Sequence, residues 1–86
     1  MKPTAKRHSP NANAEIVALL NQALADMLAL KINAKQAHWN VKGPNFLTLH
    51  ELFDQVATQA DTFADTLAER AVQLEGMAEG SLAHLS

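Results

Sequence analysis

The strongest constraint on the fold is a helical spacing of apolar residues that is interrupted once, at Gly43-Pro44. From 14 to 40, apolar residues recur three and four positions apart, as on one face of a helix and not as in a strand. The spacing resumes after Asn45 and continues to about Leu74, with Gly76 as the predicted stop. The linker is so short that the two predicted helices must form an antiparallel hairpin.

Residue types at the ends of these stretches set the predicted boundaries. Asn11 or Asn13 is the predicted N-cap of the first helix, and Asn45 is the predicted N-cap of the second. A short polar side chain at this position can accept a hydrogen bond from an unpaired backbone amide of the first turn. Pro44 cannot continue the hydrogen-bond ladder of the first helix. The predicted organisation is a basic, disordered tail over 1–13, a helical hairpin over 14–76 and a C-terminal tail over 77–86.

Two helices cannot enclose a core, because each apolar stripe is covered on one side only. The chain has 86 residues and no cysteine, so disulfides cannot supply stability and thiolate zinc sites are excluded. The predicted fold class is all-α, an antiparallel two-helix hairpin that is half of a four-helix bundle and is completed by self-association. The longest apolar run, 16–20, is far too short for a membrane span, so we expect a soluble, cytoplasmic protein.

Charge is unevenly distributed along the chain. The net charge is −2, yet the first ten residues contain three basic side chains and no acid. These are Lys2, Lys6 and Arg7, which make the tail a candidate for weak, salt-sensitive contact with DNA phosphates. Useful affinity would require many such tails on one assembly.

One flank of the second helix contains an unusual set of polar residues. On a helical wheel, five potential metal ligands fall within about 100° of one another and away from the apolar stripe. They are His50, Asp54, Asp61, Asp65 and Glu69. Arg70 is the only base between 45 and 75, so these acids mostly lack cationic neighbours on their own helix. Their repulsion favours binding of a cation.

His38 in the first helix lies on an apolar line and is predicted to face inward, near His50 at the turn. His50 and Asp54 can reach one ion, as can Asp65 and Glu69, but the two pairs are about 16 Å apart along the axis. One chain therefore cannot close all these ligands around one centre, whereas an antiparallel two-fold dimer can. Imidazole and carboxylate ligands suit first-row divalent metals, including Fe(II).

Each feature taken singly also has an ordinary structural explanation. A lone histidine on an apolar face is usually a packed core residue, and acids on a helix are usually a solvated surface. Trp39 directly follows His38, and its ordinary explanation is a core residue at the end of the hairpin. The alternative interpretation of the whole chain is a non-catalytic helical fragment or interaction module that pairs through its exposed apolar stripes.

The candidate ligands follow the spacing His38-x11-His50-x3-Asp54-x10-Asp65-x3-Glu69. The surrounding segments read KQAHWNVKGPNF at 35–46, LHELFD at 49–54 and LAERAVQL at 67–74. Over roughly 15–80 this pattern resembles the Dps family, the miniature ferritins that protect DNA in starved or oxidatively stressed bacteria. Members of that family continue through a short helix and two further long helices, so the resemblance covers only the N-terminal half of their subunit.

The resemblance implies a ferritin-like helical subunit, which the family assembles into a hollow dodecamer with an iron-oxidising centre at the two-fold interface. It implies the following ligands for iron: His38, His50 and Asp54 from one chain, and Asp65 and Glu69 from its neighbour. Trp39 is implied to pack close to the iron. The implied activity is that of a ferroxidase, which oxidises Fe(II) to Fe(III) with hydrogen peroxide as the family's usual oxidant. The implied partners are further copies of the chain, at least as a dimer, and DNA through the tail at the bacterial nucleoid.

Overall fold

The computed structural model describes residues 10–80, which form two helices, α1 (Pro10–Asn40) and α2 (Phe46–Gln73). The part described contains no strand, and the helices pack against each other. Their cross-helix contacts run antiparallel, because Lys31 meets Asp61 whereas Lys35, further along α1, meets the earlier Asp54. The prediction of an all-α hairpin is confirmed. The basic tail with Lys2, Lys6 and Arg7 lies outside the described residues, and neither helix is long and apolar enough to cross a membrane.

The first helix begins four residues before its predicted start at Ala14. Its first residue is Pro10, which is well suited to a helix start because amides in the first turn have no intrahelical acceptor. Asn11 and Asn13 therefore lie within α1 rather than capping it. Residues 10–13, which were predicted to belong to the tail, are therefore part of the helix.

The turn between the helices depends on the left-handed backbone of Gly43, whose φ is 105°. The amide of Phe46 donates to the carbonyl of Gly43 over 3.1 Å and closes the turn. Asn45 occupies the predicted N-cap position of α2, but its side chain makes no capping hydrogen bond. Its backbone carbonyl instead accepts the first helical bond, from the amide of Leu49.

The second helix ends in a different way from the one predicted. Glu75, not Gly76, has the left-handed backbone, with a φ of 63°. The amide of Gly76 donates to the carbonyl of Ala71 and that of Glu75 to Val72, the paired bonds of a Schellman stop. A Cβ at Gly76 would lie only 2.6 Å from Cγ1 of Val17. Glycine is therefore needed here because the backbone passes close to a side chain of α1.

The contact between the helices is built almost entirely from alanine. We call it the alanine seam; its buried apolar residues are Leu24, Ala25, Ala34, Ala57, Ala60, Ala64 and Ala71. Such small side chains let the helix backbones approach closely, so little room remains between them for large ones. Several larger apolar residues lie outside the seam and are exposed, and we call five of them the apolar flank: Ile16, Leu19, Leu30, Leu52 and Phe63. On α2, Leu52 and Phe63 lie on the side of the helical wheel opposite His50, Asp54 and Asp61.

Residues 76–80, which we call the strap, run back along α1. Asn21 fixes the strap by donating its Nδ2 to the carbonyl of Met77 over 2.8 Å and accepting the amide of Glu79 at Oδ1 over 2.7 Å. Asn21 is only 4% exposed and is the one buried polar side chain of the described region. Part of the predicted C-terminal tail is therefore packed structure.

Candidate metal centre

The turn of the hairpin brings His38 at the end of α1 against His50 in the first turns of α2. Their rings are stacked, with centroids 3.7 Å apart and planes at 21°. Nδ1 of His38 lies 2.5 Å from the carbonyl oxygen of His50, and Nδ1 of His50 lies 2.8 Å from that of His38. A carbonyl oxygen can only accept, so each neutral ring has its proton on Nδ1. Each Nε2 then has a free lone pair, which is the form that binds a metal ion.

Phe46 covers the other face of His50. Its ring lies 5.0 Å from the imidazole centroid at an interplanar angle of 25°, so the ring of His50 is held between Phe46 and His38. The sequence analysis did not identify Phe46 as part of the site. The available signal was its position four residues before His50, which places the two side chains on one helix face.

Asp54 lies one turn after His50 and is paired with a lysine from the opposite helix. Nζ of Lys35 donates to Oδ1 of Asp54 over 2.7 Å. This hydrogen bond and the charge of Lys35 lower the pKa of Asp54, and desolvation opposes the change. The charge that His38 and His50 carry when they are protonated lowers the pKa further. Asp54 is thus ionised at neutral pH, with both histidines near enough to act on it electrostatically. The sequence analysis missed Lys35.

A second lysine reaches across in the same way, because Nζ of Lys31 lies 2.9 Å from Oδ1 of Asp61. Asp54 and Asp61, two of the five predicted ligands on α2, therefore have cationic partners on α1. Inspection of α2 alone did not reveal these partners. Asp65 and Glu69 are exposed and have no ion pair within the described region. Their carboxylates remain available to a ligand from outside the chain.

The five predicted ligands fall into two sets at different positions along the hairpin. We call His38, His50 and Asp54 the histidine half-site, and Asp65 and Glu69 the carboxylate half-site. Within residues 10–80, no three His, Cys, Asp or Glu side chains converge closely enough to hold a metal ion. The single chain therefore presents two incomplete ligand sets, both with the nitrogen and oxygen donors that first-row divalent metals accept.

Trp39 follows directly after His38 and is 67% exposed. Such exposure is incompatible with a core role within one chain, which was one of the two explanations for this residue. Trp39 is thus an exposed residue at the end of α1, and its place near the ion site stays a prediction.

The strap and α2 form a cleft at the other end of the hairpin, beside Glu69. The cleft has a volume of about 400 Å³ and is lined by Ala68, Glu69, Val72, Gln73 and Ala78. Ala78 belongs to the strap, so the cleft exists only because residues 76–80 fold back. No periodicity in the sequence indicates this segment, and the cleft was not predicted.

Comparison with known families supports the resemblance found from the spacing of the ligands. The family model described as "Ferritin-like domain" matches residues 17–86. A "DNA protection during starvation protein" of Agrobacterium fabrum is 50% identical over 76 residues, which cover 88% of this chain and 47% of that relative. A protein of the same name from Brevibacillus brevis is 43% identical over 68 residues, which cover 79% and 46%.

A solved structure agrees in fold as well as in sequence. It is described as Dps from Microbacterium arborescens in the high iron form, and it superposes with a TM-score of 0.79 at 41% identity. The match covers 87% of this chain and 49% of that one. The chain thus spans about half the length of the relatives it matches, and the hairpin corresponds to half of their helical bundle. The predicted resemblance to Dps is confirmed over that half.

Proposed function

Because the chain belongs to the ferritin-like family, we propose that it binds Fe(II) and oxidises it at centres shared between two copies of the chain. The observation that carries this proposal is the reciprocal bonding of His38 and His50, which leaves both Nε2 atoms free as ligands. The ionised carboxylate of Asp54 lies nearby and adds an oxygen donor and a negative charge. A borderline divalent ion such as Fe(II) accepts this combination.

The separation of the two half-sites supports a shared centre. Because they lie towards opposite ends of α2, an antiparallel two-fold dimer would place the carboxylate half-site of each copy beside the histidine half-site of the other. The same two-fold operation generates two equivalent centres. Each centre then has nitrogen and oxygen ligands from one chain and two further carboxylates from its partner.

The proposed reaction transfers one electron from each of two Fe(II) ions to hydrogen peroxide. The O–O bond breaks, two protons are taken up and two waters form, while both irons become Fe(III). The carboxylates of Asp54, Asp65 and Glu69 favour the higher charge of Fe(III) through direct electrostatic attraction. A two-electron reduction of peroxide releases no hydroxyl radical, so the reaction would protect nearby DNA from oxidative damage.

Mixing two inactive variants tests the shared centre. His38→Ala and Glu69→Ala should each oxidise Fe(II) poorly, as measured by the absorbance of Fe(III) after addition of peroxide. A mixed dimer contains one complete centre and one doubly damaged centre. With random exchange, about half of the dimers are mixed, so the mixture should recover roughly a quarter of the wild-type centres.

Glu51→Ala is the matched control, because Glu51 is an exposed acid on α2 that belongs to neither half-site. It should oxidise iron at the wild-type rate. If the mixture of His38→Ala and Glu69→Ala stays inactive although mass spectrometry shows subunit exchange, the centre is not shared between chains. If Glu51→Ala is as inactive as they are, the assignment of ligands is wrong.

DNA binding through Lys2, Lys6 and Arg7 is a separate part of the proposal, supported by the clustering of these bases in an otherwise acidic chain. In a bacterial cytoplasm such tails would contact the nucleoid through phosphate charge. Deleting residues 1–7 should weaken retention on DNA at moderate salt and leave iron oxidation unchanged. Equal retention of both proteins would show that the tail is not the contact.

The apolar flank favours a second candidate function, that of a non-catalytic module which pairs with another helical surface. Leu19 and Phe63 are 71% and 60% exposed, and isolated soluble domains rarely present such a set together. Iron kinetics separate the two candidates. An interaction module would associate normally and show no peroxide-dependent Fe(II) oxidation above the rate in protein-free buffer.

A further inference from the structure

We propose that Phe46 is a positioning residue for His50, and that it holds the imidazole ready for an ion before any ion is bound. The phenyl ring fixes the plane of the imidazole, while the hydrogen bond to α1 fixes which ring nitrogen has the proton. Phe46 has no ligand atom, so it acts only through His50. The inference rests on the proposed function, since the ion concerned is the Fe(II) of the shared centre.

His50 needs both constraints because the torsion that turns its ring is soft. The terminal torsion of a histidine side chain has broad, roughly two-fold minima, so the ring plane is free unless its surroundings fix it. Within a fixed plane, a half turn of the ring still exchanges Nδ1 with a ring carbon. Only one of these arrangements keeps Nδ1 on the carbonyl of His38 and leaves Nε2 unprotonated.

The hydrogen bond of His50 selects this arrangement, but only weakly. His38 lies in the last turn of α1, so its carbonyl has no donor within the helix and accepts from Nδ1 of His50 over 2.8 Å. A single hydrogen bond that competes with water favours one state only about fivefold. Because His50 is only half-buried, a single ring orientation requires a second constraint.

The two ring contacts of His50 supply the second constraint. The ring of Phe46 lies 5.0 Å from the imidazole centroid at 25°, and the ring of His38 lies 3.7 Å from it at 21°. An imidazole between two nearly parallel rings cannot tilt without overlapping one of them. The stack therefore removes the tilted orientations, and the hydrogen bond chooses between the two that remain.

The turn of the hairpin places the ring of Phe46. Phe46 is the first residue of α2, and its amide donates to the carbonyl of Gly43 over 3.1 Å. Gly43 has a φ of 105°, a backbone conformation that favours glycine. His50 follows Phe46 by four residues, so the two side chains share a helix face. The turn thus determines the position of a ligand ring through a residue that binds no metal.

Packing in the alanine seam does not account for Phe46. The side chain is 44% exposed and lies outside the seam, and its ring contact in the described part of the chain is with His50. Outer groups that orient a metal-binding histidine contribute about tenfold to a hundredfold to metal affinity. Loss of the phenyl ring should therefore weaken metal binding although no ligand is removed.

The position of the imidazole proton tests the inference without any iron. In metal-free protein, at a pH where the imidazoles are neutral, long-range nitrogen–proton NMR correlations show which ring nitrogen of His50 is protonated. The proton of the wild-type ring should be on Nδ1. In Phe46→Ala the ratio of Nδ1-protonated to Nε2-protonated ring should fall about threefold or more, because the hydrogen bond alone is weak. Calorimetric titration with Zn(II), which has no redox chemistry, should show a Kd about tenfold higher.

Phe46→Tyr is the rescue variant, because it retains the aromatic ring. It should show the wild-type proton position and the wild-type affinity for Zn(II). Phe63→Ala is the matched control, since Phe63 is an exposed phenylalanine of the same helix that belongs to the apolar flank. It should leave both measurements unchanged. Circular dichroism verifies that each variant remains helical.

A wild-type proton position in Phe46→Ala, or an unchanged affinity for Zn(II) after the proton has moved, overturns the inference. So does a proton on Nε2 of wild-type His50, a failed rescue by Phe46→Tyr or an equal loss in Phe63→Ala. If Phe46→Ala loses its helicity, Phe46→Leu decides instead, with the same expectations and the same contrary results. If the wild type has its proton on Nδ1 but binds no Zn(II), the proposed function fails, and the ring proton alone decides the role of Phe46.

Discussion

Lys35 is the residue that most directly affects a predicted ligand without being one. Its ammonium group lies 2.7 Å from Asp54 and holds the pKa of that carboxyl below its ordinary value of 3.8. We predict that Lys35→Met raises the pKa of Asp54, because both the hydrogen bond and the positive charge are removed. Titration of the Asp54 carboxyl carbon by NMR measures the change.

The sign of the linked stability effect follows from the direction of this change. The pKa of Asp54 is lower in the folded chain than in the unfolded one, so its pairing stabilises the fold at neutral pH, and this contribution is lost as the pH falls through the folded pKa. Lys31→Met is the control, because Lys31 pairs with Asp61. An unchanged titration of Asp54 in Lys35→Met, or an equal change in Lys31→Met, would contradict the assignment.

At the scale of elements, the strap depends on a single side chain of α1. Asn21 satisfies the carbonyl of Met77 and the amide of Glu79, and both bonds are partly buried. Asn21→Leu retains the volume of the side chain but removes both of its hydrogen bonds. We predict that it lowers the free energy of opening the strap by about 2 kcal/mol. Hydrogen exchange of the Glu79 amide should then accelerate by roughly 30-fold, if opening of the strap limits exchange.

Asn33→Leu is the control for this experiment, since Asn33 is an exposed asparagine on the same helix. It should leave exchange at Glu79 unchanged. Unaltered exchange in Asn21→Leu would mean that the strap is held by the packing of its glycines against α1 and not by the two hydrogen bonds.

Predictability from the sequence also differs between elements. Both helices could be predicted because their apolar spacing runs for more than six turns, and the meeting of His38 with His50 follows from the shortness of the linker. The pairing of Lys35 with Asp54 depends on the lateral register of two helices, which periodicity does not specify. Residues 76–80 have no period at all, so their packing against α1 and the cleft they complete could not be predicted.

For the whole molecule, the division between a buried alanine seam and an exposed apolar flank predicts self-association. Light scattering at micromolar concentration should show a dimer or a larger assembly, because Leu19, Leu52 and Phe63 remain in contact with water in the single hairpin. The contrary result would be a monomer that melts cooperatively at the same temperature over a hundredfold range of concentration.

The alanine seam also determines how the molecule should respond to temperature. The heat-capacity change of unfolding grows with the apolar surface that becomes exposed, and the seam buries no fully enclosed large side chain within the described residues. Opening a lone hairpin would therefore absorb little additional heat per degree and give a shallow stability curve. Most of the heat-capacity change would belong to the joining of chains, so calorimetry would detect assembly more strongly than it detects helix formation.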